Sequence, residues 1–254
     1  MMSRWKTAQP RSRVRARHGR AGWVDSMSGR KLPGLWAILG LSIVLGMPGH
    51  AREPDMDNGE EINEVCAGCH GVYGEGGKQG EYPRLAGQPL QFLADQLLLF
   101  RQRRRPNLAM VEYIDERQMP DPDIQDISAY LAAIELPTRL DPVDEHAPGF
   151  DALARLEEAK RVLQIPRAEG DIHAGEKLYK RECASCHGRD GRGDTQDAVP
   201  MLAGQYTNYL WRQVDKYQAG IRIHDRSAPD ERLLAEFDKT ELRDILAYVS
   251  TLDD

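Results

Sequence analysis

Two short motifs in the chain have the residue types and the spacing for redox chemistry. Residues 66–70 read C-A-G-C-H and residues 183–187 read C-A-S-C-H, and together they contain all four cysteines. In a C-x-x-C-H motif, two thiols on one helical turn add to the vinyl groups of a haem, and the next imidazole binds the iron. The pattern therefore predicts two covalently bound haem c groups. Their predicted attachment residues are Cys66, Cys69 and His70 in the first motif and Cys183, Cys186 and His187 in the second.

Other uses of paired cysteines explain the two motifs less well. Structural disulfides occur in exported proteins, but they give no reason for a histidine and a glycine after each pair. A four-cysteine zinc site would require the two pairs to meet across more than a hundred residues of chain. A thioredoxin-like redox motif is typical of a βαβ context, which this sequence does not indicate.

The sequence that follows each motif is repeated. P-x-L-A-G-Q occurs as PRLAGQ at 83–88 and as PMLAGQ at 200–205, each beginning 13 residues after the motif histidine. Such self-similarity marks a duplicated unit. Pro83 and Pro200 each lie where the carbonyl oxygen could accept the Nδ1 proton of the motif histidine and orient its ring. The alternative interpretation is a proline that only forms a turn.

Helical patterns account for the rest of each half. An amphipathic segment follows each P-x-L-A-G-Q sequence, and a second one ends each half, at 123–131 and at 241–249. Asp121 is the predicted N-cap of the first terminal helix. Asp238, with Glu241 three residues later, resembles a capping box for the second. The predicted fold is all-α, with two tandem helical domains that each surround one covalent haem.

The residues before the first repeat indicate export. An apolar run at 34–47 is short for a membrane span, follows two basic residues and leads to small residues that end at Ala51. We predict a signal peptide over residues 1–51, cleaved after Ala51, with Met27 as an alternative start. A basic nucleic-acid-binding arm and an uncleaved membrane anchor are the other interpretations.

The sequence then divides into three further segments. The predicted boundaries are a first domain over residues 52–140, a linker over 141–170 and a second domain over 171–254. The linker contains prolines and many charges, and the pattern from Phe150 to Ile165 predicts a short extra helix. We interpret this helix as a strut between the domains, and the alternative is a docking element for a partner.

The charge of the chain limits its partners. The whole sequence has 34 basic and 40 acidic residues and a formal net charge of −6. Residues 1–51 hold nine of the basic and one of the acidic residues, so residues 52–254 keep 25 and 39, a net charge of −14. An acidic protein does not bind nucleic acid by default. The arginines at 101 and 103–105 are interpreted as neutralising haem propionates or acidic helix ends, and alternatively as a docking patch.

These motifs resemble the cytochrome c4 family, which joins two class I cytochrome c domains in tandem. The resemblance rests on both C-x-x-C-H motifs, both P-x-L-A-G-Q sequences and a terminal helix carrying A-Y, and it covers nearly all of residues 57–254. It implies a periplasmic electron carrier rather than an enzyme. The implied partners are redox proteins, such as a membrane reductase or oxidase or a periplasmic dehydrogenase. It also implies that the processed chain is not an integral membrane protein.

The resemblance further implies a methionine on the far side of each iron, from the loop before the last helix. In the first half Met110, 20 residues before Tyr130, competes with Met119, which lies 11 residues before it. The repeat places Phe237 at the position of Met119, which suggests a core residue. We therefore favour Met110 as the sixth ligand of the first iron.

The second half departs from the family pattern. No methionine follows Met201, and Ala228, at the position of Met110, cannot bind iron. We predict that His224 is the sixth ligand, with an open or water-ligated iron and ligation by Met201 as alternatives. His/Met ligation at the first haem and His/His at the second would give the first haem the higher potential. An open second haem would instead favour a haem-dependent oxidoreductase, and a further alternative is a dedicated redox subunit of one dehydrogenase.

Overall fold

The computed structural model describes residues 52–163, 165–224 and 233–252. The predicted signal peptide and Ala228 lie outside these residues. The described chain is helical, with two isolated β-bridges and no strand, which confirms the predicted all-α class. The α-helices are α1 Met56–His70, α2 Leu90–Arg101, α3 Leu108–Val111, α4 Asp121–Ala133, α5 Ala152–Lys160, α6 Ile172–Glu182, α7 Ala184–His187, α8 Thr207–Gln218 and α9 Lys239–Val249. Short 3₁₀ turns lie at Lys78–Gly80 and Leu233–Ala235.

Each half is built on one close crossing of two helices. In the first half α1 packs against α4, and in the second α6 packs against α9. A Cβ atom at Gly59 would lie 2.6 Å from the carbonyl oxygen of Asp126, and one at Gly175 would lie closer still to that of Asp244. Both crossings therefore require glycine, because any side chain there would push the two helices apart.

Each half has its own hydrophobic core. The first core includes Leu93, Phe100, Ile114, Met119, Ile124, Ile127 and Leu131. The second includes Tyr179, Leu210, Val214, Phe237, Leu242, Ile245, Leu246 and Val249. Met119 and Phe237, which the repeat places at equivalent positions, are thus buried in equivalent cores.

The starts of the two terminal helices differ from each other. The capping box of α9 is present, with the Asp238 carboxylate accepting from the N–H of Glu241 and the Glu241 side chain accepting from the N–H of Asp238. The predicted Asp121 cap of α4 is wrong, because the extended backbone of Pro120 occupies that position and Asp121 is the first helical residue. Asp121 still neutralises the helix start and accepts a hydrogen bond from Arg101.

The linker carries the helix α5 and then packs onto the first half. Leu163 and Ile165 join Leu136 and Ala86 in a small third cluster, while Leu153, on α5 itself, is exposed. Of the helices in the described ranges, none combines the length and the apolar character that a bilayer crossing requires.

Candidate haem sites

The two cysteine motifs end equivalent helices. The first motif forms the last turn of α1, and the second lies at the end of α6 and in α7. Gly71 and Gly188 follow with φ of 83° and 80°, a conformation that favours glycine and ends each helix beside its histidine. This accounts for the glycine after each motif.

No disulfide joins the four cysteines. Before attachment of any group, burial raises the pKa of the Cys66 and Cys183 thiols to about 11. The described ranges contain no group of three or more His, Cys, Asp or Glu arranged to hold a metal ion. The unpaired cysteines give no support to the disulfide alternative, and the described residues give none to a zinc site.

The motif histidines are held in equivalent ways. Nδ1 of His70 lies 3.0 Å from the carbonyl oxygen of Pro83, and Nδ1 of His187 lies 2.9 Å from that of Pro200. Because a carbonyl oxygen only accepts, Nδ1 carries the proton and Nε2 keeps a lone pair for a metal. Both rings are buried. The arrangement fits the proximal ligand of a haem.

Burial also keeps these imidazoles neutral. It lowers the pKa of His70, against the opposing effect of the Pro83 carbonyl. It lowers the pKa of His187 to about 4; the Pro200 carbonyl opposes this shift and the nearby His224 adds to it. A neutral imidazole is the form that binds iron.

His224 lies close to His187 in the second half. The centroids of the two rings are 6.0 Å apart, and the ring of Tyr217 meets that of His224 edge-on at 5.1 Å. Two imidazoles on opposite sides of one metal, with bonds of about 2 Å, have centroids roughly 6 Å apart. The segment after α8 thus brings a second imidazole to the separation that a shared iron requires.

The methionines occupy different environments. Met119 is 7% exposed within the first core, whereas Met110, in the short helix α3, is half-buried against the same core. Met201 is directed towards the first half, where its Cε would lie 3.4 Å from a Cβ at Gly87. This direction gives no support to Met201 as a ligand of the second iron.

Two glutamines join the halves through symmetric hydrogen bonds. Oε1 of Gln88 accepts from the N–H of Met201 at 3.0 Å, and its Nε2 donates to the Met201 carbonyl at 2.9 Å. In the same way, Oε1 of Gln205 accepts from the N–H of Arg84 and its Nε2 donates to the Arg84 carbonyl, both at 3.0 Å. Each glutamine is the last residue of its own P-x-L-A-G-Q sequence. Its side chain hydrogen-bonds to the backbone of the residue that follows the proline in the P-x-L-A-G-Q sequence of the other half.

Two buried arginines repeat this symmetry. Arg105 donates to Oε1 of Gln96 at 2.9 Å and to Oε1 of Gln213 at 3.2 Å. Arg222 donates to the same two oxygens, at 3.0 Å and 2.8 Å respectively. Within the described ranges no carboxylate lies within ion-pair distance of either guanidinium. The interface between the halves therefore holds two buried positive charges.

The positive charge affects a neighbouring phenol. Tyr209 accepts a hydrogen bond from Arg105 at 2.9 Å. Burial raises the pKa of Tyr209, but the charges of Arg105 and Arg222 outweigh it and leave that pKa below its usual value. Burial lowers the pKa of Arg105 itself. The interface thus attracts negative charge.

This interface was not predicted from the sequence. The arginines at 101 and 103–105 do not form one cluster: Arg101 bonds to the start of α4, Arg105 is buried, and Arg103 and Arg104 are exposed. A constant separation of 117 residues was the available signal. It joins His70 to His187, Gln88 to Gln205, Gln96 to Gln213 and Arg105 to Arg222.

Comparisons with known proteins agree with this architecture. The family described as "Cytochrome c" matches residues 56–135 and again residues 172–253. The cytochrome c4 of Azotobacter vinelandii is 26% identical over 229 residues, covering 85% of this chain and 98% of that protein. A thiosulfate dehydrogenase electron acceptor of Stutzerimonas stutzeri is 32% identical over 161 residues, covering 63% of this chain and 66% of that protein.

The fold is similar to a solved structure of the same kind. The crystal structure of reduced recombinant cytochrome c4 from Pseudomonas stutzeri superposes with a TM-score of 0.61 at 22% identity. The match covers 79% of this chain and 100% of that one. The tandem arrangement of two helical domains is therefore shared.

Proposed function

Because the chain belongs to the cytochrome c family and carries two covalent haem c groups, we propose that it is a periplasmic electron carrier with His/Met ligation at the first haem and His/His ligation at the second. The observation that carries the ligation proposal is the 6.0 Å separation of the His187 and His224 rings. The paired Nδ1 contacts of the motif histidines support the assignment of the proximal ligands.

The motif residues have the proposed attachment roles. Cys66 and Cys69 would hold the first haem with His70 beneath its iron, and the second motif would act in the same way. The carbonyl groups of Pro83 and Pro200 would orient the two imidazoles. Each haem supplies an iron that takes up and releases one electron.

Met110 is the proposed sixth ligand in the first domain. Met119 is buried in the core and precedes α4 as Phe237 precedes α9, so a packing role accounts for it. Met110 lies in the short helix between α2 and α4, the segment from which the family's methionine comes. A thioether sulfur favours reduced iron, whereas the second imidazole of His224 favours oxidised iron. We therefore expect electrons to pass from the second domain to the first.

Arg105 and Arg222 are the proposed partners of the haem propionates. A buried guanidinium without an opposite charge is costly, and each haem carries two carboxylates that would offset it. Their positions at the interface between the domains would also place negative groups of both haems near one another.

The proposed location and organisation follow from the sequence. Residues 1–51 would act as a cleaved signal peptide, releasing domains at 52–140 and 171–254 joined by the linker at 141–170. The partners would be redox proteins, such as a membrane reductase or oxidase or a periplasmic dehydrogenase.

Near-infrared magnetic circular dichroism tests the ligation, because His/Met and His/His haems give separate charge-transfer bands. We expect one band of each kind in the unmodified protein. His224→Ala should remove only the His/His band, and Met110→Leu only the His/Met band, while Met119→Leu should keep both. Two His/Met bands, or rapid binding of carbon monoxide to the unmodified protein, would contradict the proposal.

A second candidate is the electron acceptor of one particular dehydrogenase. It is favoured by the 32% identity with the thiosulfate dehydrogenase electron acceptor. In that case a purified thiosulfate dehydrogenase should reduce this protein rapidly when thiosulfate is added, and the protein alone should not respond to thiosulfate. Reduction no faster than that of an unrelated cytochrome c would exclude this candidate.

A further inference from the structure

We propose that Gln88 and Gln205 are positioning residues that tune the haem of the opposite domain, each through a single peptide group. The proposal rests on the proposed function, in which His70 and His187 bind the irons. Its consequence is a crossed effect, because a change in the first domain would alter the potential of the second haem.

One continuous set of hydrogen bonds leads from each glutamine to the opposite histidine. Nδ1–H of His187 donates to the carbonyl of Pro200, and the N–H of Met201 belongs to that same peptide group. This N–H donates to Oε1 of Gln88, which lies in the first domain. Only the peptide between Pro200 and Met201 therefore separates the imidazole from the glutamine.

The first domain has the equivalent set of bonds. Nδ1–H of His70 donates to the carbonyl of Pro83, and the N–H of the same peptide group, that of Arg84, donates to Oε1 of Gln205. In both sets the glutamine Nε2 also donates to the carbonyl of the residue after the proline, so two hydrogen bonds fix the glutamine side-chain amide. The glutamines are 3% and 5% exposed, so water does not compete for these bonds.

Electrostatics gives the direction of the effect. An acceptor on the N–H of a peptide polarises that peptide and makes its carbonyl a stronger acceptor. A stronger bond at Nδ1 makes the imidazole a more basic ligand, which favours oxidised iron. Loss of the glutamine acceptor should weaken this bond and favour reduced iron in the opposite domain.

The two glutamines should affect the haem of the opposite domain to different extents. Oε1 of Gln205 also accepts from the N–H of Tyr206 at 3.1 Å, so two donors share one oxygen. The residue after Gln88 is Pro89, which has no N–H to compete. Replacement of Gln88 should therefore have the larger effect.

Gln88→Leu and Gln205→Leu, in the full-length protein with both haems, test the crossed pattern in a spectroelectrochemical titration. At a fixed applied potential, Gln88→Leu should raise the ferrous-to-ferric ratio of the second haem by at least about threefold and leave the first unchanged. Gln205→Leu should do the reverse, with a smaller change. The matched control is Gln91→Leu, an exposed glutamine bonded to Asp95, which should change neither ratio.

A second variant and an NMR measurement separate the proposed effect from misfolding and from a purely structural role. If the leucine variant does not fold, Gln88→Asn, whose amide is too short to reach the Met201 N–H, should give a shift of the same sign in the second haem. The NMR signal of the His187 Nδ1 proton should move to higher field in ferrous Gln88→Leu, which a purely structural role would not produce. A shift of the first haem, equal shifts of both haems, or no shift with an unmoved proton signal would overturn the proposal.

Failure of the proposed function would give results that are distinct from failure of the glutamine proposal. The near-infrared bands of the unmodified protein test the ligation before any glutamine is changed. If those bands were identical, chains that retain only one cysteine motif would still assign each potential to its domain. The crossed pattern could then be judged independently.

Discussion

The two domains have equivalent residues and contacts as far as Arg105 and Arg222, and they differ in the segment that follows. From the cysteine motifs to these arginines each position of the first domain has its equivalent 117 residues later. Beyond them the first domain forms α3 with Met110, while the second places His224 beside His187. In the proposed ligation, the two halves thus share the residues that would hold the proximal side of each haem and differ in those that would reach the distal side.

This difference separates repeat residues that depend on one another through hydrogen bonds from a segment that can change independently. The motif histidine, the proline carbonyl and the bridging glutamine are linked through hydrogen bonds and one peptide group, so a change in one would disturb the others. In the proposed ligation the distal segment contributes a single ligand to its site. It could then diverge and give the two haems different potentials without changing the shared residues on the other side.

Removal of the cysteines from one motif should have the largest effect. Cys66→Ser with Cys69→Ser should leave one covalent haem per chain, and Cys183→Ser with Cys186→Ser should leave the other. The pyridine haemochrome assay and intact-protein mass would each show half of the haem content. Loss of both haems from either variant would contradict two independent attachment sites.

His224→Met should make the second domain resemble the first. The change from imidazole to thioether should raise the potential of the second haem, by on the order of 100 mV, because axial ligands set much of the range of haem potentials. A redox titration should then show two potentials that lie closer together. A potential that does not rise would argue against His224 as a ligand, and Met119→Leu serves as the control that should leave both potentials in place.

Alanine at the helix crossings should destabilise the domains unequally. Gly59→Ala should cost about 1–3 kcal/mol through overpacking against the backbone of Asp126. Gly175→Ala should cost more, because its Cβ would approach the backbone of Asp244 more closely. Denaturant unfolding followed by circular dichroism measures both, with Gly77→Ala, where a Cβ meets nothing within 4 Å, as the control. Equal losses would show that the second crossing relaxes more easily.

The smallest expected effect is on the acid sensitivity of the first domain. Hydrogen bonds from Arg52 lower the pKa of Asp126 to about 2, although burial of the carboxylate opposes the shift. A lowered pKa contributes stability that is complete above about pH 4 and is lost as the pH falls towards 2. Asp126→Asn should therefore flatten the pH dependence of the unfolding free energy in this range. An unchanged slope would show that the pair with Arg52, which is half exposed, contributes little in solution.

The sequence alone predicts what is local or repeated. The motifs, the proline positions and the capping box of α9 depend on residues that are close in sequence, and the two domains follow from the duplication. The start of α4 was misplaced by one residue because backbone conformation, not residue type, puts Pro120 at the cap. Gln88 and Arg105 have ordinary polar side chains, and only the pairing of the two halves gives them a role.

The crossed glutamine bonds bear on how the molecule arose. The glutamine contacts, and those of Arg105 and Arg222 with Gln96 and Gln213, occur twice with the roles exchanged, as in an isologous contact between identical subunits. A single-haem ancestor with one such surface would have paired with a copy of itself before the two genes fused. In that history the linker would have made permanent an association between two separate chains, and each copy would have been free to specialise.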